Sequence, residues 1–113
     1  MKTVLLTGAC GGIGSAVARA LDAAGHHLLL LDLDPLALEA LDDGLQGDHT
    51  LVPFDLWRSG FDAYVRLAEL IQEDHGKLDA VINLAAVCGG LRPLAHADPT
   101  GWLQGLQVNL TAP

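Results

Sequence analysis

The sequence is poor in aromatic residues, in positive charge and in cysteine. Only 4% of its 113 residues are Phe, Trp or Tyr, and six Lys and Arg face fourteen Asp and Glu, for a formal net charge of −8. So acidic a chain repels phosphate backbones and anionic lipid, which argues against nucleic acid or a membrane surface as its partner. Two cysteines, Cys10 and Cys88, are too few for a disulfide framework and lack metal-ligand spacing. Reduced thiols and a cytoplasmic location are expected. The five histidines are scattered with no HExxH pattern, so no metal site is expected. His26, His27 and His96 are read as solvent-facing loop residues. No apolar run approaches the roughly 20 residues of a membrane helix. Repeats and low-complexity segments are missing too, and the length suits one domain.

What is present is an aliphatic chain, half apolar, with a mean hydropathy of +0.34. That composition suits an α/β core. "TVLLT" (3–7) reads as a buried strand. Apolar residues at three- and four-residue spacing from Ile13 to Ala24 predict a helix, with Gly25 as its stop. "HLLLLD" (27–32) is apolar on both faces, as central strands of a parallel sheet are. Asp34-Pro35 supplies a cap and a first-turn proline for a short helix through about Leu41. "TLVPF" (50–54) is a third strand, and Pro53 places it at a sheet edge or strand end. A helix from Phe61 stops at Gly76, "LDAVIN" (78–83) is the fourth strand, and Asp98-Pro99 starts a last helix carrying Trp102, Leu103, Leu106 and Leu110. Right-handed crossovers in this β-α-β-α-β-α-β-α order predict a doubly wound parallel sheet, with helices on both faces in three α/β/α layers.

Between the first strand and helix stands "TGACGGIG" (7–14). Its glycines would weaken either element, but a strand, a bare turn and a helix N-terminus together make an anion site. Gly8 would form the tight turn, Gly12 would let a pyrophosphate approach, and Gly14 would let the helix pack on the first strand. Gly14 is followed by Ser15-Ala16 rather than Lys-Ser or Lys-Thr, so a triphosphatase loop is excluded. Asp32 ends the second strand 18 residues beyond Gly14. A carboxylate there accepts hydrogen bonds from both ribose hydroxyls of an adenosine and repels a 2′-phosphate. With no arginine at Gly11 or Leu33, the expected cofactor is NAD(H) rather than NADP(H).

Carrying these features from Lys2 to its end, the chain resembles the short-chain dehydrogenase/reductase family. "TGACGGIG" resembles the family's TGxxxGxG loop, "LDAVINLAA" its LDxxVNNAG segment, and "WLQGLQVNL" the stretch that bears a catalytic-tetrad asparagine, here Asn109. The resemblance implies a Rossmann-type fold of sheet order 3-2-1-4 over these strands, residues 1–113 forming the N-terminal part of one NAD(P)-binding domain. It also implies a cofactor site of Gly8, Cys10, Gly11, Gly12, Ile13, Gly14, Asp32, Leu33, Asp55, Leu56, Asn83, Ala85 and Ala86. Asp55 and the adjoining backbone would hold adenine. Cys10 stands where many NADP-preferring members carry serine. The implied chemistry is hydride transfer between nicotinamide and a carbonyl or alcohol, with Asn109 bending its helix and binding a water that relays protons. A homo-oligomer is implied for a full-length protein.

Two features depart from that pattern. The second Asn and the Gly of NNAG are Leu84 and Ala86, and "NLAA" leans toward the longer, epimerase-like branch of the family. No Tyr-x-x-x-Lys occurs either, because Tyr64 is the only tyrosine and position 68 is Ala. The chain is therefore expected to be a fragment with an exposed fourth strand, inactive alone. A non-catalytic NAD(H)-binding module and a nucleotide-sugar epimerase or dehydratase remain alternatives. The substrate is not legible; only Ala86 to Leu94 could contribute to its pocket.

Overall fold

A computed structural model of the chain describes residues 1–86 and 99–111. The elements are β1 (Thr3–Thr7), α1 (Gly12–Ala23), β2 (His27–Asp32), α2 (Pro35–Asp43), β3 (Thr50–Pro53), α3 (Phe61–His75), β4 (Ala80–Asn83) and α4 (Pro99–Leu106), followed by a π-helical segment, Gln107–Thr111. The four strands form one parallel sheet in the order β3-β2-β1-β4. This is the expected Rossmann-type α/β arrangement.

Local chemistry explains the element ends. The Asp34 carboxylate accepts from the Leu36 N–H at 3.0 Å to cap α2, with Pro35 in its first turn. Pro53 closes β3, an outermost strand of the sheet, where a missing donor breaks no ladder. Asp79 precedes β4 and clasps β1 twice: its N–H donates to the Thr3 carbonyl and its Oδ2 accepts from the Thr3 N–H, both at 2.8 Å.

The core lies on one face of β1 and β2. Val4, Leu6, Leu28 and Leu30 pack there with Ala18 of α1 and Leu38 and Leu41 of α2. Full burial of one leucine contributes about 1.5–3 kcal/mol, so this cluster is a main source of stability. The chain steps outward from β1 to β3 and returns across β1 to β4, so right-handed crossovers put α3 on the opposite face. Leu29 and Leu31, in the same buried run of β2, point that way. Among the described residues β4 is outermost beside β1, as expected of the fourth strand, and Val81 is 50% exposed.

Two expectations need correction. The last helix is not one continuous α-helix: α4 gives way after Leu106 to a π-helical turn containing Asn109. The histidines are not simply solvent-facing. His27 begins β2 half-buried, with Nδ1 donating to the Asp48 carbonyl at 2.9 Å and Nε2 within 3.2 Å of the Thr50 hydroxyl. The His26 Nδ1 accepts from the Lys2 N–H at 3.1 Å. His96 and Cys88 lie outside the described residues.

Candidate functional site

The geometry of "TGACGGIG" follows from what its backbone touches. Gly8 adopts φ 68°, and a Cβ there would stand 2.7 Å from both the Ala85 nitrogen and the Leu84 carbonyl carbon. The chain after β1 thus runs hard against the chain after β4. A Cβ on Gly14 would overlap the Gly8 carbonyl oxygen, so α1 starts directly on the turn that precedes it. A Cβ on Gly12 would meet nothing within 4 Å. That open side is where a ligand can approach. Gly11 caps α1 with no side-chain hydrogen bond, so the N–H groups of its first turn, Gly12, Ile13 and Gly14, are offered to an anion rather than to a capping side chain.

Asp32 reaches back over this loop. Its Oδ2 accepts from the Cys10 N–H at 2.9 Å and its Oδ1 from the Leu33 N–H at 2.7 Å. The carboxylate is thereby oriented by two backbone donors and keeps lone pairs for further ones. It also acts on Cys10: burial first, then the Asp32 charge and hydrogen bond, push that thiol up to about 11.

Asp55 organises a turn of its own. Its Oδ1 accepts from the Trp57 N–H at 2.9 Å and the Arg58 N–H at 3.0 Å. At the switch point between β1 and β4, the buried Thr7 hydroxyl accepts from the Leu84 N–H at 3.1 Å and the Ala85 N–H at 3.2 Å. Crevices at such switch points are the usual ligand sites of open α/β sheets.

A cleft of about 400 Å³ opens there. Of the residues named from sequence, it is lined by Gly8, Cys10, Gly11, Asp32, Leu33, Asp55, Leu56, Ala85 and Ala86. Gly12, Ile13 and Gly14 form the first turn of α1 beside it. Asn83 ends β4 opposite Thr7 and is exposed, and Asn109 is exposed in the π-helical segment; neither lines the cleft. The stretch 87–94, expected to contribute to a substrate pocket, lies outside the described residues. Sequence reasoning missed Leu31, Phe54, Trp57, Leu84, Gln104 and Val108, which complete the lining. The first four adjoin motif residues and were within reach of the motif reading. Gln104 and Val108 carried a weaker signal, a one-turn spacing on the last helix.

The residues present fit a dinucleotide: a bare loop, an uncapped helix start, and an oriented carboxylate at the end of β2. The short chain dehydrogenase family model matches residues 2–113. A short chain dehydrogenase/reductase of Gibberella zeae is 33% identical over 112 residues, spanning 99% of this chain and 42% of that protein. A crystal structure of a metagenomic short-chain oxidoreductase in complex with NADP superimposes with a TM-score of 0.90 at 32% identity, covering 99% of this chain and 51% of that one. NAD+-bound xylitol dehydrogenase does so with a TM-score of 0.84 at 28% identity, covering 98% and 43%. The chain therefore spans about half the length of the proteins it matches. With the family model matching residues 2–113, it belongs to the short-chain dehydrogenase family.

Proposed function

We propose that this chain forms the adenosine and pyrophosphate half of a nicotinamide dinucleotide site in an NAD(P)-dependent oxidoreductase. The whole protein would move a hydride between nicotinamide and a carbonyl or alcohol carbon, with a proton passing to or from the oxygen. Residues 1–113 would be the N-terminal part of a single cofactor-binding domain. One observation carries the reading: the Asp32 carboxylate, held by the Cys10 and Leu33 N–H groups, overlooks a glycine loop with an uncapped helix start.

Each residue then has a task set by its position. The loop around Gly8, Gly11 and Gly12 and the N–H groups of Ile13 and Gly14 would receive the pyrophosphate. Asp32 would accept from the adenosine ribose hydroxyls, and its charge would oppose a 2′-phosphate, favouring NAD(H). Asp55, with the Leu56 backbone, would hold adenine, while Cys10 and Leu33 wall that end. Asn83, Ala85 and Ala86 would border the nicotinamide half, and Asn109 would serve proton relay in the π-helical turn.

Tyr64 is not read as an acid–base tyrosine here: its hydroxyl donates to the Leu56 carbonyl at 2.9 Å, and position 68 is Ala. The test is fluorescence titration with NADH and NADPH, beside the Asp32→Asn variant. Saturable NADH binding, weaker NADPH binding, and a narrowed gap between them in the variant support the reading. Binding of neither cofactor overturns it for this chain.

A further inference from the structure

Residues 54–57 form one wall of the cleft, yet they follow β3, a four-residue outermost strand. Beyond the Phe54 N–H, which donates to the Asp32 carbonyl of β2 at 2.9 Å, the turn leaves the strand ladder and is held by side chains. The peptide between Leu56 and Trp57 is held at both ends. Its N–H donates to Asp55 Oδ1 at 2.9 Å. Its carbonyl oxygen, on Leu56, accepts from the Tyr64 hydroxyl at 2.9 Å and from Gln107 Nε2 at 3.2 Å. Both donors are partly buried, and they come from different elements, α3 and the π-helical segment. The Tyr64 ring also meets the Phe54 ring edge-on, with centroids 5.0 Å apart and planes at 73°.

We propose that Tyr64 and Gln107 are positioning residues for the adenine end of the site, acting through the shared Leu56 carbonyl. This rests on the nucleotide reading above. Two donors on one oxygen fix the rotation of that peptide, and with it the Trp57 N–H that orients the Asp55 carboxylate. Gln107 additionally ties this wall to the helix that supplies Gln104 and Val108 to the same cleft. Among the described residues, the Gln107 amide thus links the two cleft walls. Loss of either donor lets the turn rotate without unfolding the core, which lies on the sheet face packed by α1 and α2.

The experiment uses the full chain carrying Trp102→Phe, which leaves Trp57 as its only tryptophan. Tyr64→Phe keeps the ring packing and removes only the hydroxyl, and Gln107→Leu removes the amide donor. Binding of ADP and of inorganic pyrophosphate, Trp57 anisotropy and the thermal midpoint are measured for each. Each variant should weaken ADP binding about tenfold, the size of one lost hydrogen bond. Inorganic pyrophosphate binding should stay unchanged and Trp57 anisotropy should fall. Ala68→Gly, on the exposed side of α3, lowers the thermal midpoint without touching the turn and should leave ADP affinity alone. ADP affinity within twofold of the parent in both variants overturns the proposal while the nucleotide reading stands. An affinity loss matched by Ala68→Gly also overturns it, because stability alone would then explain the effect. Failure of the parent to bind ADP or NADH overturns both.

Discussion

The Gly8 carbonyl oxygen occupies the space that a side chain on Gly14 would need. Gly14→Ala therefore forces α1 away from the turn after β1 and loosens Ala18 from the core. We expect a loss above about 2 kcal/mol, as for other overpacked buried sites, read as the midpoint of urea unfolding. Gly12→Ala is the contrast. Its Cβ faces open space, so stability should hold within about 0.5 kcal/mol while NADH affinity drops, as calorimetry would report. Equal destabilisation by both substitutions would refute this division of labour.

Thr7→Val keeps the shape of a buried side chain and deletes one oxygen. The Leu84 N–H retains the Thr7 carbonyl at 3.3 Å, but the Ala85 N–H loses its hydroxyl partner. The Ala85 N–H is only part-buried beside the cleft, so the cost should be near the low end of the penalty for an unsatisfied donor, about 1 kcal/mol. Hydrogen exchange should accelerate at Ala85 more than at Leu28 to Leu31. An unchanged Ala85 rate would show that the hydroxyl does not hold the end of β4.

The opposite end of the sheet carries an acid-sensitive clasp. Asp22, from α1, accepts from the Gln46 N–H at 2.8 Å, the Gly47 N–H at 2.9 Å and His49 Nε2 at 2.8 Å. The His49 Nδ1 accepts from the Leu28 N–H at 3.1 Å, which leaves the ring proton on Nε2 for Asp22. These donors, the two backbone N–H groups foremost, lower the Asp22 carboxyl to about 2. The Thr3 N–H lowers Asp79 in the same direction. Unfolding returns both toward about 4, so the unfolded chain binds more protons below that pH. Their stabilisation is complete above about pH 4 and falls away toward pH 2. Asp22→Asn should reduce stability at neutral pH and flatten the acid slope, measured by thermal melts from pH 2 to 6. An unaltered slope in that variant would count against the clasp.

Cys10 should be a poor nucleophile. With its thiol raised from 9.0 to about 11, its thiolate fraction at neutral pH falls by about two orders of magnitude. In a Cys88→Ser background, iodoacetamide should modify Cys10 about 100-fold more slowly than an ordinary exposed thiol. Asp32→Asn removes the charge contribution and should speed the reaction only in part, because burial is the larger cause. Rapid alkylation of the parent would contradict this environment.

How much of this was legible beforehand depended on the range of each signal. Strand-to-helix alternation, the Asp34-Pro35 helix start and the "TGACGGIG" turn are written in neighbouring residues, and each appeared as read. Nine of the residues named for the cofactor gather on one cleft because they sit at strand ends, which sequence locates well. The π-helical turn escaped, since Leu103, Leu106 and Leu110 fit an ordinary helix. The Asp22–His49 pair escaped as well: nothing local to either position points to the other.

The sequence by itself determined the order of elements, the bare loop and the carboxylate 18 residues beyond it, because hydrophobic period and turn chemistry act over a few residues. Tertiary structure alone decided which groups brace the site. Thr7 meets Ala85 across 78 positions, Gln107 meets Leu56 across 51, and Asp32 meets Cys10 across 22. Such pairs are chosen by strand order and helix placement. Once the sheet has brought them together, buried donors and acceptors must find partners, and those partners can stand anywhere in the chain.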